Sequence, residues 1–265
     1  MDNINIAVAD NSPMCSNNMI KLVNISKKYN AGIGEKRVLA LDSLELEIHQ
    51  GEVFGFLGPN GAGKSTTIKI LMNLIYSDSG SAEIGGKDVR NPEARKVVGF
   101  LPENPYFYDY LTADELMWFG GKTAGMDLKS IRKRSDFLMT KVDLQNARKR
   151  SLRTYSKGMM QRAGLAFALI HDPDVVILDE PMSGLDPIGR KMVGDLLIEL
   201  KQQGKTVFFS SHILNDIERF SDRAGIIIGG RLRLVDSLSK LLSVNSNLEE
   251  VFMKEVEAAE GEAAP

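Results

Sequence analysis

Residues Gly58-Pro59-Asn60-Gly61-Ala62-Gly63-Lys64-Ser65-Thr66 combine bare backbone, a lysine and adjacent hydroxyls. That set suits a polyanion. Backbone N–H groups reach a phosphate only where no Cβ intervenes, and Gly58, Gly61 and Gly63 provide that access. Lys64 adds a mobile cation for the β- and γ-phosphates, and the Ser65 hydroxyl is placed to ligate Mg2+. The spacing G-x-x-x-x-G-K-[ST] falls on Gly58, Gly63, Lys64 and Ser65. It lies between the apolar run Val53–Leu57 and the helix-like run Thr67–Met72. Strand, glycine-rich turn and helix form the context of a phosphate-binding loop. The helix would point its free N–H groups and positive dipole end at the same anion. Nucleotide binding follows.

Asp179 and Glu180 close a second apolar run, Val175–Leu178. The C-terminal end of a strand is where α/β sheets bind ligands. There Asp179 can hold Mg2+ through water, and Glu180 can polarise a water for attack on a γ-phosphate. An Asp-Glu pair after a strand can also be a helix cap; the loop upstream favours the chemical role. His212 follows the run Thr206–Phe209 and could donate to the γ-phosphate, although a lone His in that place is more often structural. Tyr155-Ser156-Lys157-Gly158-Met159 opens a helix with Ser156 as N-cap, a second anion-binding helix start far along the chain. One molecule need not bring both starts to the same phosphate. Two molecules arranged head to tail would.

The elements that must position these groups can be read from hydrophobic periodicity. Strands are expected at Ile20–Ile25, Val38–Ile48, Val53–Leu57, Ala82–Ile84 and Val97–Leu101. The helix after Lys64 is expected to end near Tyr76. From Glu103 the texture turns helical: Thr112 and Glu115 form a capping box, Ile131, Leu138 and Val142 share a face, and a third helix runs from about Lys157 to Ile170. Strands return at Val175–Leu178, Thr206–Phe209 and Ala224–Ile228, with helices at Ile188–Leu200 and Leu214–Phe220. Weak helices are expected at Ser237–Leu242 and Leu248–Val256, with a frayed acidic tail from Glu257. The fold class is therefore α/β. A β-rich start precedes a helical insert near 103–170, and buried strands alternating with helices imply a mostly parallel core sheet.

Composition narrows the class. The chain has 265 residues, 43% hydrophobic and 26% charged, with a net charge of −2, which gives no reason to expect nucleic acid. The single cysteine, Cys15, excludes an internal disulfide and reads as an inert thiol in a reducing compartment. The longest uncharged run, Val53–Gly63, is far short of the ~18 residues a spanning helix needs. Asp2 and Asp10, with no basic residue before Lys21, are the reverse of a signal peptide. A cytoplasmic protein is expected, with any membrane role coming through a partner.

Taken together the motifs resemble the ATP-binding subunit of ABC transporters, over about residues 20–230. GPNGAGKST is similar to Walker A, Val175–Pro181 (VVILDEP) to Walker B with its glutamate, Ser183–Asp186 to the D-loop and His212 to the H-loop. Tyr29 matches the aromatic A-loop residue that stacks on adenine. The resemblance implies a P-loop NTPase (RecA-like) core with an N-terminal antiparallel β subdomain and an inserted α-helical subdomain. Residues 1–18, polar and Asn-rich, read as a flexible extension, residues 19–235 as the ATPase domain and 236–265 as a C-terminal helical tail. Two positions depart from the common pattern. The signature LSGGQ stands here as YSKGM, so Ser156 and Gly158 carry over, and the Q-loop position is Glu103, in LPENP. Both variants, and Leu248–Phe252, resemble the branch that drives exporters with separate membrane subunits.

The resemblance further implies ATP and Mg2+ as ligands, the ion held by Ser65, Asp179 and Glu103. Glu180 and His212 are the catalytic pair. The phosphate-binding loop from Gly58 to Thr66, Tyr29, and Ser156, Gly158 and Asp186 from a facing subunit bind the nucleotide. The implied partners are a second ATPase subunit, identical or related, and a polytopic transmembrane permease that feels the motion near Glu103 and the helical insert. The resemblance also implies a peripheral place on the cytoplasmic face of the membrane through that permease. Pro105–Tyr110 lies there and could face that partner or the core. Residues 129–162 are strongly basic; a solvated face is the default reading, and attraction to anionic headgroups the weaker one. The alternative function is a regulatory ATPase switch, membrane-linked or soluble, that moves no cargo. ABC-type ATPases of chromosome maintenance or translation carry long coiled coils or tandem P-loops, which this sequence lacks.

Overall fold

The computed structural model describes residues 18–29, 38–244 and 247–263. The expected N-terminal extension, apart from Asn18, lies outside the described residues, as do Cys15 and the loop at 30–35. The chain begins with β1 (Asn18–Tyr29), paired antiparallel with β2 (Val38–His49), Ile20 opposite Ile48 and Leu22 opposite Leu46. In β2, Leu44, Leu46 and Ile48 are buried and Glu45, Glu47 and His49 exposed, as the period-two pattern requires. After β3 (Val53–Leu57) comes α1 (Lys64–Leu71). This helix stops short of the expected Tyr76. Asn73 takes a left-handed φ of 53°, and the Leu74 N–H turns back to the Lys69 carbonyl at 2.8 Å, which closes the helix end. β4 (Ser79–Ile84) and β5 (Lys87–Asp88) complete an antiparallel sheet in the order β2-β1-β4-β5.

A short α2 (Pro92–Arg95) leads to β6 (Val98–Leu101), then to three helices: α3 (Ala113–Thr123), α4 (Leu128–Lys141) and α5 (Lys157–Ala168). The capping box forms as expected, Thr112 accepting from the Glu115 N–H and Glu115 from the Thr112 N–H. The chain returns through β7 (Val175–Leu178), α6 (Pro187–Gln202), β8 (Thr206–Ser211), α7 (Leu214–Phe220), β9 (Arg223–Ile228) and β10 (Arg231–Ser237). It closes with α8 (Leu238–Val244) and α9 (Leu248–Ala263). The tail does not fray at Glu257. The Arg233 guanidinium grips the Glu262 carboxylate with paired bonds of 2.8 and 2.7 Å and holds it below the usual carboxylate range, so α9 continues to Ala263.

The second sheet runs β10-β9-β3-β8-β7-β6 and is parallel except for β10. Its central strands are buried on both faces, which is why they read as unbroken apolar runs. Alternation sorts their side chains into two cores. Phe54, Phe56, Val175, Ile177 and Phe208 pack with the antiparallel sheet and α1. Val53, Leu57, Val176, Leu178, Val207 and Phe209 pack with the helices on the other face. The same register aligns the strand ends: Leu57 lies beside Ser211, and Phe209 beside Leu178. The loops that follow β3, β7 and β8 therefore emerge at one edge.

Among the described residues, four of the eleven basic residues in the stretch 129–162 are paired with acids. Arg134 meets Asp172 at 3.0 Å, Lys141 meets Glu199 at 2.6 Å, and Arg162 meets Asp143 at 3.1 Å. Arg148 bridges Asp114 and Asp136 at 2.5 and 2.6 Å. Acids from α3, α6 and the α5–β7 turn reach Arg148, Lys141 and Arg134 across the fold, while Arg132 and Lys133 stay exposed.

Gly99 marks where β6 meets the end of α5. A Cβ there would stand 2.2 Å from the Ala168 carbonyl oxygen. Gly99→Ala should therefore cost about 1–3 kcal/mol of stability, as overpacking of a close contact does. A lowered denaturant midpoint is the expected reading; an unchanged midpoint would contradict this packing.

Candidate functional site

The loop after β3 turns on Gly61 (φ 79°) and Gly63 (φ 114°). Gly63 is the N-cap of α1 and makes no side-chain cap bond, so the first N–H groups of the helix are left for an anion. No other residue fits Gly63: besides its φ, a Cβ would stand 2.7 Å from Leu41 Cδ2 and 2.8 Å from the Ala40 carbonyl oxygen. Above the loop lies a pocket of about 380 Å3. Pro59, Asn60, Gly61, Gly63, Lys64, Ser65 and Thr66 form one wall, Ala40 joins from β2, and Glu103, Glu180 and His212 stand opposite. Residues far apart in sequence thus converge on the phosphate-binding loop.

Lys64 is buried, with Nζ donating to the Gly58 carbonyl at 2.6 Å and the Pro59 carbonyl at 3.3 Å. It also lies 3.4 Å from Glu180 Oε1. Glu180 Oε2 lies 2.8 Å from His212 Nδ1. Facing an ionised carboxylate, Nδ1 carries the proton, which leaves Nε2 of a neutral ring as an acceptor. Donation from Nε2 to a phosphate then requires a protonated ring or release of Glu180. Asp179, 4% exposed, accepts from the Ser210 hydroxyl at 2.6 Å. The hard oxygen donors of Ser65, Asp179 and Glu103 suit Mg2+, which takes few protein ligands and completes its shell with water and phosphate.

The other expected residues stand elsewhere. Tyr29, at the end of β1, is 39% exposed, has Lys27 Nζ 5.8 Å from its ring centre and does not line the pocket. Ser156 caps α5 by accepting from the Met159 N–H at 3.2 Å, and is exposed. Gly158 packs beside Leu185 and Gly184. Asp186 is the exposed N-cap of α6 and accepts from the Gly189 N–H at 2.8 Å. Ser156, Gly158 and Asp186 therefore form one surface, outside this chain's pocket. Sequence reasoning missed Ser210 and Gln161, both buried against the Asp179-Glu180 backbone. The available signals were a serine pair ending an otherwise apolar strand and a glutamine on the inner face of α5.

Residues 41–183 match the family described as ABC transporter. The chain is 43% identical over 256 residues to an uncharacterized ABC transporter ATP-binding protein of Synechocystis sp., covering 96% of this chain and 72% of that one. It is 41% identical over 217 residues to the bacitracin transport ATP-binding protein BcrA of Bacillus licheniformis, covering 81% and 68%. Among solved structures it resembles an ATP-binding cassette in a dimeric post-hydrolysis state bound to ADP and Pi. The TM-score is 0.76 at 27% identity, over 83% of this chain and 99% of that one.

Free N–H groups and a buried ammonium should make the pocket bind pyrophosphate by itself. Pyrophosphate is expected to raise the melting temperature, and Lys64→Ala to abolish that rise. A rise that persists in the variant would place the anion elsewhere.

Proposed function

The chain belongs to the ABC transporter family and is an ATPase of it; from that premise we propose that it is the ATP-hydrolysing subunit that drives a separate transmembrane permease, in the export direction. The observation that carries this reading is the pocket in which Lys64, Glu180 and His212 meet over the loop of Gly58–Thr66. Backbone N–H groups and Lys64 hold the triphosphate, and Tyr29 stacks on the adenine. Ser65, Asp179 and Glu103 would hold Mg2+, which would neutralise charge on the phosphates. When the phosphates engage Lys64, Glu180 loses that partner and its carboxylate turns to the attacking water. Glu180 accepts the water's proton as the oxygen attacks the γ-phosphorus and the bond to the ADP oxygen breaks. His212 steadies Glu180 and, once released from it, the γ-phosphate.

A second ATPase subunit completes each site. Ser156, Gly158 and Asp186 lie together on a surface beside Ile188, which is 79% exposed. An exposed isoleucine beside a capped helix start is suited to meet another subunit's nucleotide head to tail. The relative from Bacillus licheniformis, named for bacitracin transport, supports a role in transport.

The permease docks between the helical insert and the edge of the parallel sheet. An apolar groove of about 540 Å3 lies there, lined by Val98, Phe100, Phe119, Met126, Phe167 and Ile170. Pro105–Tyr110 divides its roles. Phe107 packs on Phe167 with ring centres 5.3 Å apart, while Tyr106, Tyr108 and Tyr110 are 92%, 65% and 67% exposed. No described helix is long and apolar enough to cross a membrane. In this reading the partner holds the chain at the cytoplasmic face.

Glu180→Gln keeps the size of the side chain, turns one of its two accepting oxygens into a donor and loses the base. ATP affinity should hold while turnover falls roughly 10²-fold or more. Turnover at the level of the unaltered protein would remove Glu180 from the mechanism.

A further inference from the structure

Glu180 has a backbone that its residue type does not favour. Its φ is 50°, in the left-handed region that a residue with a Cβ occupies only when its surroundings enforce it. The enforcement is visible on both sides of the residue. The Glu180 N–H donates to Ser210 Oγ at 2.9 Å. The Glu180 carbonyl accepts from Gln161 Nε2 at 3.3 Å, and the same amide reaches the Pro181 carbonyl at 3.4 Å. Ser210 is 0% exposed and Gln161 is 2% exposed, so water does not replace either partner.

Ser210 does more than hold one N–H. A hydroxyl has one proton to give and lone pairs to accept with. Ser210 gives its proton to Asp179 Oδ1 at 2.6 Å and accepts the Glu180 N–H with the same oxygen. The sheet register puts it there. Phe209 lies beside Leu178, so the next residue of β8 stands against the acidic pair that follows β7. His212 lies two residues further along the same edge, in contact with Glu180. With its backbone turned this way, Glu180 presents Oε1 to Lys64 and Oε2 to His212. An extended or right-handed backbone at the same place would carry the carboxylate away from both.

We propose that Ser210 is a positioning residue for ATP hydrolysis: its buried hydroxyl sets the Asp179 carboxylate and the Glu180 backbone together, and Gln161 locks Glu180 from the other side. The proposal rests on the reading of Asp179 as a Mg2+ ligand and Glu180 as the base. An apolar residue at 210 would leave a buried N–H and a buried carboxylate each short of a partner. Glu180 would then relax out of the strained conformation. The consequence falls on the chemical step, because Ser210 touches neither the loop of Gly58–Thr66 nor the helix start that holds the phosphates.

The test compares Ser210→Ala, Ser210→Thr, Gln161→Met and Glu180→Gln. The readouts are melting temperature, ATP affinity with and without Mg2+, and separate kcat and KM. Ser210→Ala should lower kcat by about tenfold or more while KM for MgATP rises by less than kcat falls, so that the loss lies chiefly in the transition state. It should also weaken the gain in ATP affinity that Mg2+ confers, a readout that needs no turnover. Ser210→Thr keeps the hydroxyl and should recover most of kcat. Gln161→Met keeps the bulk, loses the donor and should lower kcat from the other side of Glu180. Unaltered kcat in both Ser210→Ala and Gln161→Met, with Glu180→Gln inactive, overturns the proposal and leaves the role of Glu180 standing. Equal loss in Ser210→Ala and Ser210→Thr, following a lowered melting temperature, also overturns it, since packing alone would then explain the effect. Full turnover in Glu180→Gln overturns the underlying reading and the proposal with it.

Discussion

The structure turns on one carboxylate held between a cation and an imidazole. Glu180 is 8% exposed and touches Lys64 on one side and His212 on the other. A charge so buried must be paired, and removing one partner is costlier than never having made the pair. Three separate segments are thereby bound to one another: the loop after β3, the turn after β7 and the end of β8. In the proposed function an arriving polyphosphate competes for the same lysine. Binding at the loop therefore reaches Glu180 through direct contact, without any longer route through the fold.

That contact is possible only because the parallel sheet has a fixed register. Strand ends at Leu57, Leu178 and Ser211 are brought to one edge by the ladders β3–β8 and β7–β8. The two cores on either face hold that register, since a slip by one residue would move Phe54, Phe56 and Phe208 from one core to the other. The helical insert is fixed to the sheet by close backbone approach at Gly99 and by Gly164, where a Cβ would meet Leu101 and Pro105. Glu103 lies on the short segment between them. A movement of the insert must then be felt in the wall of the pocket.

Much of this was legible because it is local. The phosphate-binding loop, the acidic pair after a run of four apolar residues, the Thr112–Glu115 box and the Ser156 cap are each written within a few positions. What was not legible depends on residues distant in sequence. The end of α1 is decided by a left-handed Asn73, a conformation that residue type permits without demanding. The persistence of α9 comes from Arg233 on β10, and the pairing of Arg148, Lys141 and Arg134 from acids on α3, α6 and the α5–β7 turn. Ser210 and Gln161 were hidden for the same reason. A serine in a strand and a glutamine in a helix acquire meaning only when the sheet register and the seat of α5 put both against Glu180.

In the proposed function the pocket of one chain is half of a working site, and Ser156, Gly158 and Asp186 lie outside it. The most direct measurement is native mass spectrometry of the complex drawn from membranes in mild detergent through a tag on this chain. The account predicts a polytopic membrane protein together with two ATPase subunits, either two copies of this chain or one copy with a related ATPase. Recovery of this chain alone, or of a single ATPase subunit on the membrane protein, would contradict it.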